Sequence, residues 1–467
     1  MSGHTSGTKR PLTQITPRRA ANENESGGPE ERRRFLKLMG ASLALAGAGA
    51  ACSYQPLERY APYVRQPEYL IQGKALFFAT AMPQGPHGGM GLLARSDAGR
   101  PTKIEGNPLH PASLGHTDIF AQAAILGLYD PDRSKIVIER GDPSSWSRFQ
   151  GAMQIALEAE RARGGAGLRI LTESVHSPTL ARQLRGLLAE FPQARWVVYE
   201  PAGRDNARQG AILAFGRPLN AIYRFDRAAR VLSIDSDFLA AQGGANLRYA
   251  HDFIRARTPA GDRPDMANPL GGEMARLYAV ECEPTQTGAK ADHRLALKPS
   301  EVEAFTRAVA AAVGVSGVAG GDTAHGHWVD AVARDLQAQR GRGIVIVGDA
   351  MPPAVHALGH AINAALGNAG ATVYYAEPVE FMPEGAADEI TELRNLVGEM
   401  NAGKTQTLLI LGGNPVFTAP ADLGFGDALE KVPLRIHHGL YADETAERCH
   451  WHLPRLHFLE EWSDVRA

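Results

Sequence analysis

Cysteine is almost absent. The chain has three in 467 residues, Cys52, Cys282 and Cys449. A cubane iron–sulfur cluster ordinarily takes four thiolates, so cysteines alone cannot hold one here. Cys282 and Cys449 could pair in an oxidising compartment, although nothing around them asks for it. Excess charge of either sign is also missing. A formal net charge of −2 gives no pull toward nucleic acid or acidic lipid, and nucleic acid is excluded as a partner. No long apolar run is present either. The uncharged stretch from Leu38 to Ala51 falls short of the roughly 20 residues a membrane helix needs. What the chain does have is a hydrophobic fraction of 44% with 50 Gly and 30 Pro. These describe a globular body with many turns, long enough for two or three domains.

Residues 1–73 read as an address rather than a fold. Met1 to Glu31 is polar and lacks any apolar period, the composition of a disordered leader. Arg32-Arg33-Arg34-Phe35-Leu36-Lys37 then precedes the short uncharged run. A twin arginine before Phe-Leu-Lys and a modest apolar stretch is the pattern of a twin-arginine export signal, read through Arg32, Arg33, Phe35 and Leu36. It predicts export of a folded chain to the periplasmic face of the cytoplasmic membrane. Ala50-Ala51-Cys52 resembles a lipoprotein cleavage site, with Cys52 as the lipid anchor, but Gly49 stands where Leu is usual. Ordinary cleavage, or an uncleaved anchor with Cys52 a passenger, stays open beside it. The chain is thus expected to be peripheral or lipid-anchored.

The body predicts α/β architecture. Residues 74–135 read as a β-rich segment, with short strands at Ala75–Ala79, Gly91–Arg95 and Thr102–Glu105. After Asp130-Pro131-Asp132-Arg133, short apolar runs alternate with helical spacings. The runs are Leu168–Leu171, Trp196–Tyr199, Val231–Ile234, Ile344–Val347, Thr372–Tyr375 and Thr407–Leu411. Helices are expected at Trp146–Arg163, Pro178–Glu190, Asn206–Phe215, Pro299–Val313, Trp328–Gln339, Ala354–Leu366 and Glu389–Met400. Such alternation indicates doubly wound parallel sheets. Two Rossmann-type units are expected, 136–260 and 261–467, on either side of an irregular stretch from His251 to Gly288. Residues 261–467 read as a unit cut short at its C-terminus.

Two histidine groupings invite a metal and do not earn one. His356 and His360 are spaced to share a helix face, but no third ligand is evident. Cys449-His450-Trp451-His452 has three donors in four residues that alternate faces when extended. Hydrogen-bonded or solvated histidines are the simpler reading of both.

Several segments carry a family resemblance. Gly99-Arg100-Pro101-Thr102-Lys103-Ile104-Glu105-Gly106-Asn107-Pro108, with His110-Pro111 and Gly115, resembles the N-terminal domain of molybdopterin oxidoreductases. Leu411-Gly412-Gly413-Asn414-Pro415 and Asp443-Glu444-Thr445-Ala446 before His452-Leu453-Pro454 extend the likeness over roughly 74–467. More narrowly, Ala61-Pro62-Tyr63-Val64-Arg65-Gln66-Pro67, Thr285-Gln286-Thr287-Gly288 and Gly413-Asn414-Pro415-Val416-Phe417-Thr418 resemble the pterin-like part of the large iron–sulfur subunit of alternative complex III.

The resemblance implies a respiratory quinol:electron-acceptor oxidoreductase. The partners it implies are an iron–sulfur domain or subunit, a polytopic quinol-binding membrane subunit and cytochrome c subunits. It also implies a longer family member, with a Cys-rich iron–sulfur domain following. The chain departs from catalytic relatives at several points. Asp118 stands where their fourth cluster cysteine would be, and Phe120 where their lysine between cluster and pterin would be. The first nucleotide loop, Asp235-Ser236-Asp237-Phe238, has no glycine beside its strand, and its acids should repel a pyrophosphate. The second loop, Gly412, Gly413, Asn414 and Pro415, keeps its glycines and reads as a vestigial pterin-type turn retained for folding. No cofactor is expected in this chain, and iron–sulfur clusters are expected in its neighbour. The expectation is a non-catalytic supporting subunit or half-subunit. The alternatives are an active molybdopterin oxidoreductase or an exported lipoprotein acting in assembly.

Overall fold

A computed structural model describes Arg33, Leu36, Lys37, Met39, Arg65 and residues 68–71, 73–240, 245–259 and 267–467. The chain divides into Met1–Glu68 and Tyr69–Ala467. In the first unit Arg33 and Leu36 have helical backbone and are exposed; Arg32, Phe35 and Cys52 lie outside the described residues. No helix among the described residues is long and apolar enough to cross a membrane.

The second unit opens with a three-stranded antiparallel meander of β1 (Leu76–Pro83), β2 (Gly89–Asp97) and β3 (Arg100–Gly106). Alternation on β2 turns Met90, Leu92 and Ala94 inward. They meet Ile104 of β3 and Ala121 of the helix Ile119–Leu128. Asp118 is not free for a ligand. It is buried and caps that helix, accepting from the Ala121 N–H at 2.7 Å and from Gln84 Nε2 at 3.2 Å.

The α/β body follows as two sheets. One is the four-stranded parallel sheet β11 (His293–Ala296), β10 (Arg276–Glu281), β9 (Arg230–Ile234), β12 (Gly343–Val347), in that spatial order. Both faces are covered, as buried parallel strands require. Leu232, Ile234, Val280 and Val345 pack on the helices Pro299–Ala312, Gly326–Ala338 and Pro353–Ala365. Val231, Leu277, Ile344 and Ile346 pack against Phe225, Phe238, Tyr249 and Phe253.

The other sheet has seven strands, ordered β5 (Asp142–Ser144), β4 (Val137–Glu139), β16 (Trp451–Pro454), β15 (Leu434–Gly439), β14 (Thr407–Leu411), β6 (Leu168–Thr172), β7 (Arg195–Val198). Five of them run parallel and β4 and β5 form an antiparallel edge. A two-stranded antiparallel ribbon joins β8 (Asn220–Tyr223) to β13 (Val373–Ala376).

The doubly wound parallel architecture expected from sequence is thus present. Its partition along the chain differs from the expected boundary at residue 260. β14 pairs directly with β6, so the seven-stranded sheet is built from the beginning and end of the body and the four-stranded sheet from its middle. The stretch from His251 to Gly288, expected to be irregular, contains the central strand β10. Its alternate residues feed two different cores, Leu277 one and Tyr278 and Val280 the other, so no single apolar face shows in the sequence. The run at Thr372–Tyr375 joins the ribbon rather than a parallel sheet.

Candidate functional site

The carboxyl ends of β9 and β12 open into a cleft of about 1280 Å³. Ligand crevices in doubly wound folds form where the strand order reverses, and β9 lies between β10 and β12. Residues 235–238 after β9, 348–350 after β12 and 201–204 after β7 line it, with His87 and His110 from the N-terminal meander and its following loop.

The loop after β9 does without glycine. Asp235 adopts φ +50°, a left-handed conformation that Asp tolerates better than most residues. Its Oδ1 accepts from the Cys282 N–H at 2.8 Å. Asp237 Oδ1 accepts from the Thr287 N–H at 2.8 Å and from Thr287 Oγ1 at 2.7 Å, at the start of the short helix Gln286–Ala289. The two acids therefore do more than repel an anion. They tie the loop after β9 to the segment that follows β10.

The cations of the cleft are committed as well. Arg204 pairs with Asp349 at 3.3 Å, Arg208 with Asp205 at 2.6 Å, Arg224 with Asp226 at 2.7 Å and Arg248 with Asp252 at 3.2 Å. Burial works against the Arg204 charge, but Asp349 and Glu380 more than offset it and raise its pKa. Against these four arginines the lining carries Asp235, Asp237, Glu283, Asp349 and Glu377, one negative charge in excess. Among the described residues, no unpaired arginine would meet an entering phosphate-bearing dinucleotide. The cleft has the volume for a pterin dinucleotide but not the donor set for its pyrophosphate.

The loop 412–415 follows β14 at the end of the other sheet. Gly412 and Gly413 both have positive φ, +78° and +70°, which explains why glycine stands there. A Cβ on Gly413 would also come within 3.2 Å of the Glu173 carboxylate. Asn414 is held internally. Its Nδ2 donates to Glu444 Oε2 at 2.5 Å, and its Oδ1 accepts from Thr445 Oγ1 at 2.7 Å.

Beside the loop runs a directional relay. Gly413 O can only accept, so His437 Nε2 donates to it at 3.1 Å. His437 Nδ1 then accepts from His452 Nδ1 at 3.1 Å, and His452 Nε2 accepts from Ser134 Oγ at 2.6 Å. A separate group of three carboxyls gathers around Glu200. Burial, then the Glu173 charge, pushes Glu200 up to about 7. Burial also raises Glu389 to about 7, although it accepts from the Glu200 N–H at 2.8 Å. Burial raises Glu173 too.

Among the described residues no group of three or more His, Cys, Asp or Glu is placed to hold a metal. His356 and His360 do share the helix Pro353–Ala365, and both are buried rather than solvated. His360 Nδ1 meets Tyr375 Oη at 3.2 Å. Cys449 and Cys282 are free and sit against different cores. His450 and His452 diverge, the first bonded to the Arg435 N–H and the second to the relay. Phe120 is half exposed at the start of the Ile119–Leu128 helix.

No family model matches the chain. It is 25% identical to the menaquinone reductase, molybdopterin-binding-like subunit of Nitratidesulfovibrio vulgaris over 93% of its own length and 66% of that protein's. Among solved structures it resembles acetylene hydratase from Pelobacter acetylenicus, with a TM-score of 0.59 at 12% identity. That match covers 82% of this chain and 61% of the other. The chain thus spans under two thirds of either comparison protein. Sheet architecture and both likenesses agree: the chain has the molybdopterin-oxidoreductase fold and is similar, over most of its length, to the molybdopterin-binding-like subunit of a menaquinone reductase.

Proposed function

We propose that this chain is a non-catalytic subunit, or half-subunit, of a membrane quinol:electron-acceptor oxidoreductase of the alternative complex III kind. In this reading it binds no pterin or cluster. Its α/β body supports an iron–sulfur domain or subunit beside a polytopic quinol-binding subunit and cytochrome c subunits. The observation that carries the reading is the state of the cleft, where Asp235 and Asp237 stand in the glycine-free loop after β9 and the four lining arginines each have a carboxylate partner. The relative's own name places it in a menaquinone reductase, which supports a respiratory complex.

The face from 75 to 133 is the proposed contact with the iron–sulfur partner. The helix Ile119–Leu128 has no charged residue and shows Ile119 at 69% and Leu126 at 72% exposure. Interface cores favour such uncharged, apolar surface. Leu126→Asp should leave the isolated chain folded, since the side chain is already in solvent. It should lower recovery of the cluster-bearing partner in affinity purification at least tenfold, as loss of a central apolar contact does. Cross-linking of the native complex should join residues 75–133 to that partner. Elemental analysis of the isolated chain should find neither iron nor molybdenum in stoichiometric amount. Stoichiometric molybdenum, or full recovery of the partner with Leu126→Asp, would overturn the reading.

Export by the twin-arginine route to the periplasmic face, with a peripheral or lipid-anchored mature chain, is the second part of the proposal. Arg32-Arg33 before Phe35-Leu36 supports it. Arg32→Lys with Arg33→Lys keeps the charge but removes the guanidinium pair. Fractionation should then find the precursor in the cytoplasm, and normal export of the double variant would reject the signal.

A further inference from the structure

The arginines of the cleft are committed, but two elsewhere are not. A second, smaller hollow of about 470 Å³ lies between the helix Pro178–Glu190, the helix Asp205–Phe215 and residues 377–386. It shares only Arg208 and Glu377 with the lining of the cleft. Each of these has an ion partner outside the hollow, Asp205 and Arg217. Arg185 and Arg466 line the hollow as well. Among the described residues neither meets a carboxylate. Both guanidinium groups lie instead against the ring of Phe381, 5.3 and 4.1 Å from its centroid. A ring face orients such a cation but does not neutralise it. Local structure fixes all three side chains. Leu184 is buried under its helix, so the next residue, Arg185, turns outward. The Arg466 N–H donates to the His176 carbonyl at 3.0 Å, and its Nη1 to the Pro378 carbonyl at 3.3 Å. The Phe381 N–H donates to the Val175 carbonyl at 2.7 Å, and its side chain packs on the core of Ile170, Val175 and Trp196.

The rest of the wall is largely apolar, with Ile212, Pro218, Met382 and Pro383. Arg185, Arg208 and Arg466 stand against Glu377 and Glu380, one positive charge in excess. The volume falls in the range of small-molecule sites. Two planar donor forks answer a carboxylate, which takes paired N–H groups. A single excess charge matches a monoanion, and the two glutamates oppose a doubly charged phosphate. We propose that the hollow binds a small monocarboxylate with an apolar body, aryl or branched alkyl. Arg185 and Arg466 hold the carboxylate, and Phe381, Met382 and Ile212 meet the body. This goes beyond the supporting role argued above, which needs no ligand at all.

N-Acetylphenylalanine is the probe, titrated against the full chain by calorimetry, with its amide as the uncharged control. The acid should bind with a dissociation constant below about 1 mM, and the amide at least about tenfold more weakly. Arg185→Gln should weaken the acid at least about tenfold. Its side chain is exposed, so the melting curve should not move. Arg182→Gln, on the same helix but outside the hollow, should leave binding within about twofold, as screened surface charge allows. No binding of the acid, equal binding of the amide, or full binding by Arg185→Gln overturns the inference and leaves the supporting role intact. So does tighter binding of phenyl phosphate, which would assign the arginine pair to a phosphate. Tighter binding of an acetylated tetrapeptide ending in phenylalanine overturns it too, by assigning the pair to the chain end of a partner.

Discussion

Gly348→Ala is expected to destabilise the chain by about 4 kcal/mol or more, beyond the usual range of single substitutions. A Cβ at this position would lie 1.9 Å from the carbonyl oxygen of Asp235. That oxygen belongs to backbone already fixed in a left-handed turn, with its side chain tied to the Cys282 N–H. The Gly348 N–H donates to the Ile234 carbonyl at 2.9 Å. Neither strand end can retreat without breaking β9 from β12, so a flexible side chain cannot absorb the clash. Denaturant unfolding should show the loss, or the variant should fail to accumulate folded. Gly151→Ala, where a Cβ meets nothing within 4 Å, is the control and should be neutral or slightly stabilising in its helix. A loss under about 1 kcal/mol for Gly348→Ala, the ordinary size of a single-substitution effect, would mean that the β9–β12 crossing is not as close as described.

The second large effect is acid lability. Burial first, and neighbouring cations for several, lowers His87, His356, His360, His438, His450 and His452 to about 4. A histidine whose folded pKa is depressed takes up its proton more readily in the unfolded chain. Its stabilising contribution is complete above about 6.5 and is lost as pH falls toward 4. Glu200 and Glu389, raised to about 7, have the opposite sign: their contribution is complete below about 4.5 and fades as pH rises through 7. The histidines outnumber them. At about 1.4 kcal/mol per pKa unit, and after a strong discount for the part-exposed rings, the net loss from pH 6.5 to 4 is on the order of 5 kcal/mol. That is comparable to the whole stability of many domains. Melting temperature should fall steeply across this window and level off above about pH 7; the two glutamates oppose the fall between about 4.5 and 7, so Glu389→Gln should make it steeper there. Equal melting temperatures at pH 4.5 and 7 would refute the balance.

What is legible in the sequence follows from the range of the forces involved. The helix Pro178–Glu190 is readable to the residue because its signals are local: Ser177 caps it, accepting from the Leu180 N–H at 3.0 Å, and Pro178 opens it. β9 and β12 announce themselves as short apolar runs because both their faces are buried. The Ile119–Leu128 helix falls inside a segment whose sequence reads as β-rich, since an uncharged run without a polar face gives no helical period. The pairing of β14 with β6 leaves no local trace at all.

At the site, Gly412 and Gly413 are readable because positive φ demands glycine. The acids after β9 are readable as a poor phosphate loop, but not as caps for partners about fifty residues away. His356 has the spacing of half a metal pair. That spacing shows the shared helix face but not which ring nitrogen lacks a partner.

The order of strands also sets a timetable. β6 and β7 leave the ribosome early, yet the neighbour that completes their sheet, β14, begins at Thr407. With synthesis at about 5–20 residues per second, the first half of that sheet waits on the order of ten seconds or more with an unpaired edge. Meanwhile the four-stranded sheet, all of whose strands lie between, can close first. Such non-local closure folds slowly and exposes apolar edges on the way. A chain of this design needs its open edge guarded until β14 arrives to pair with β6.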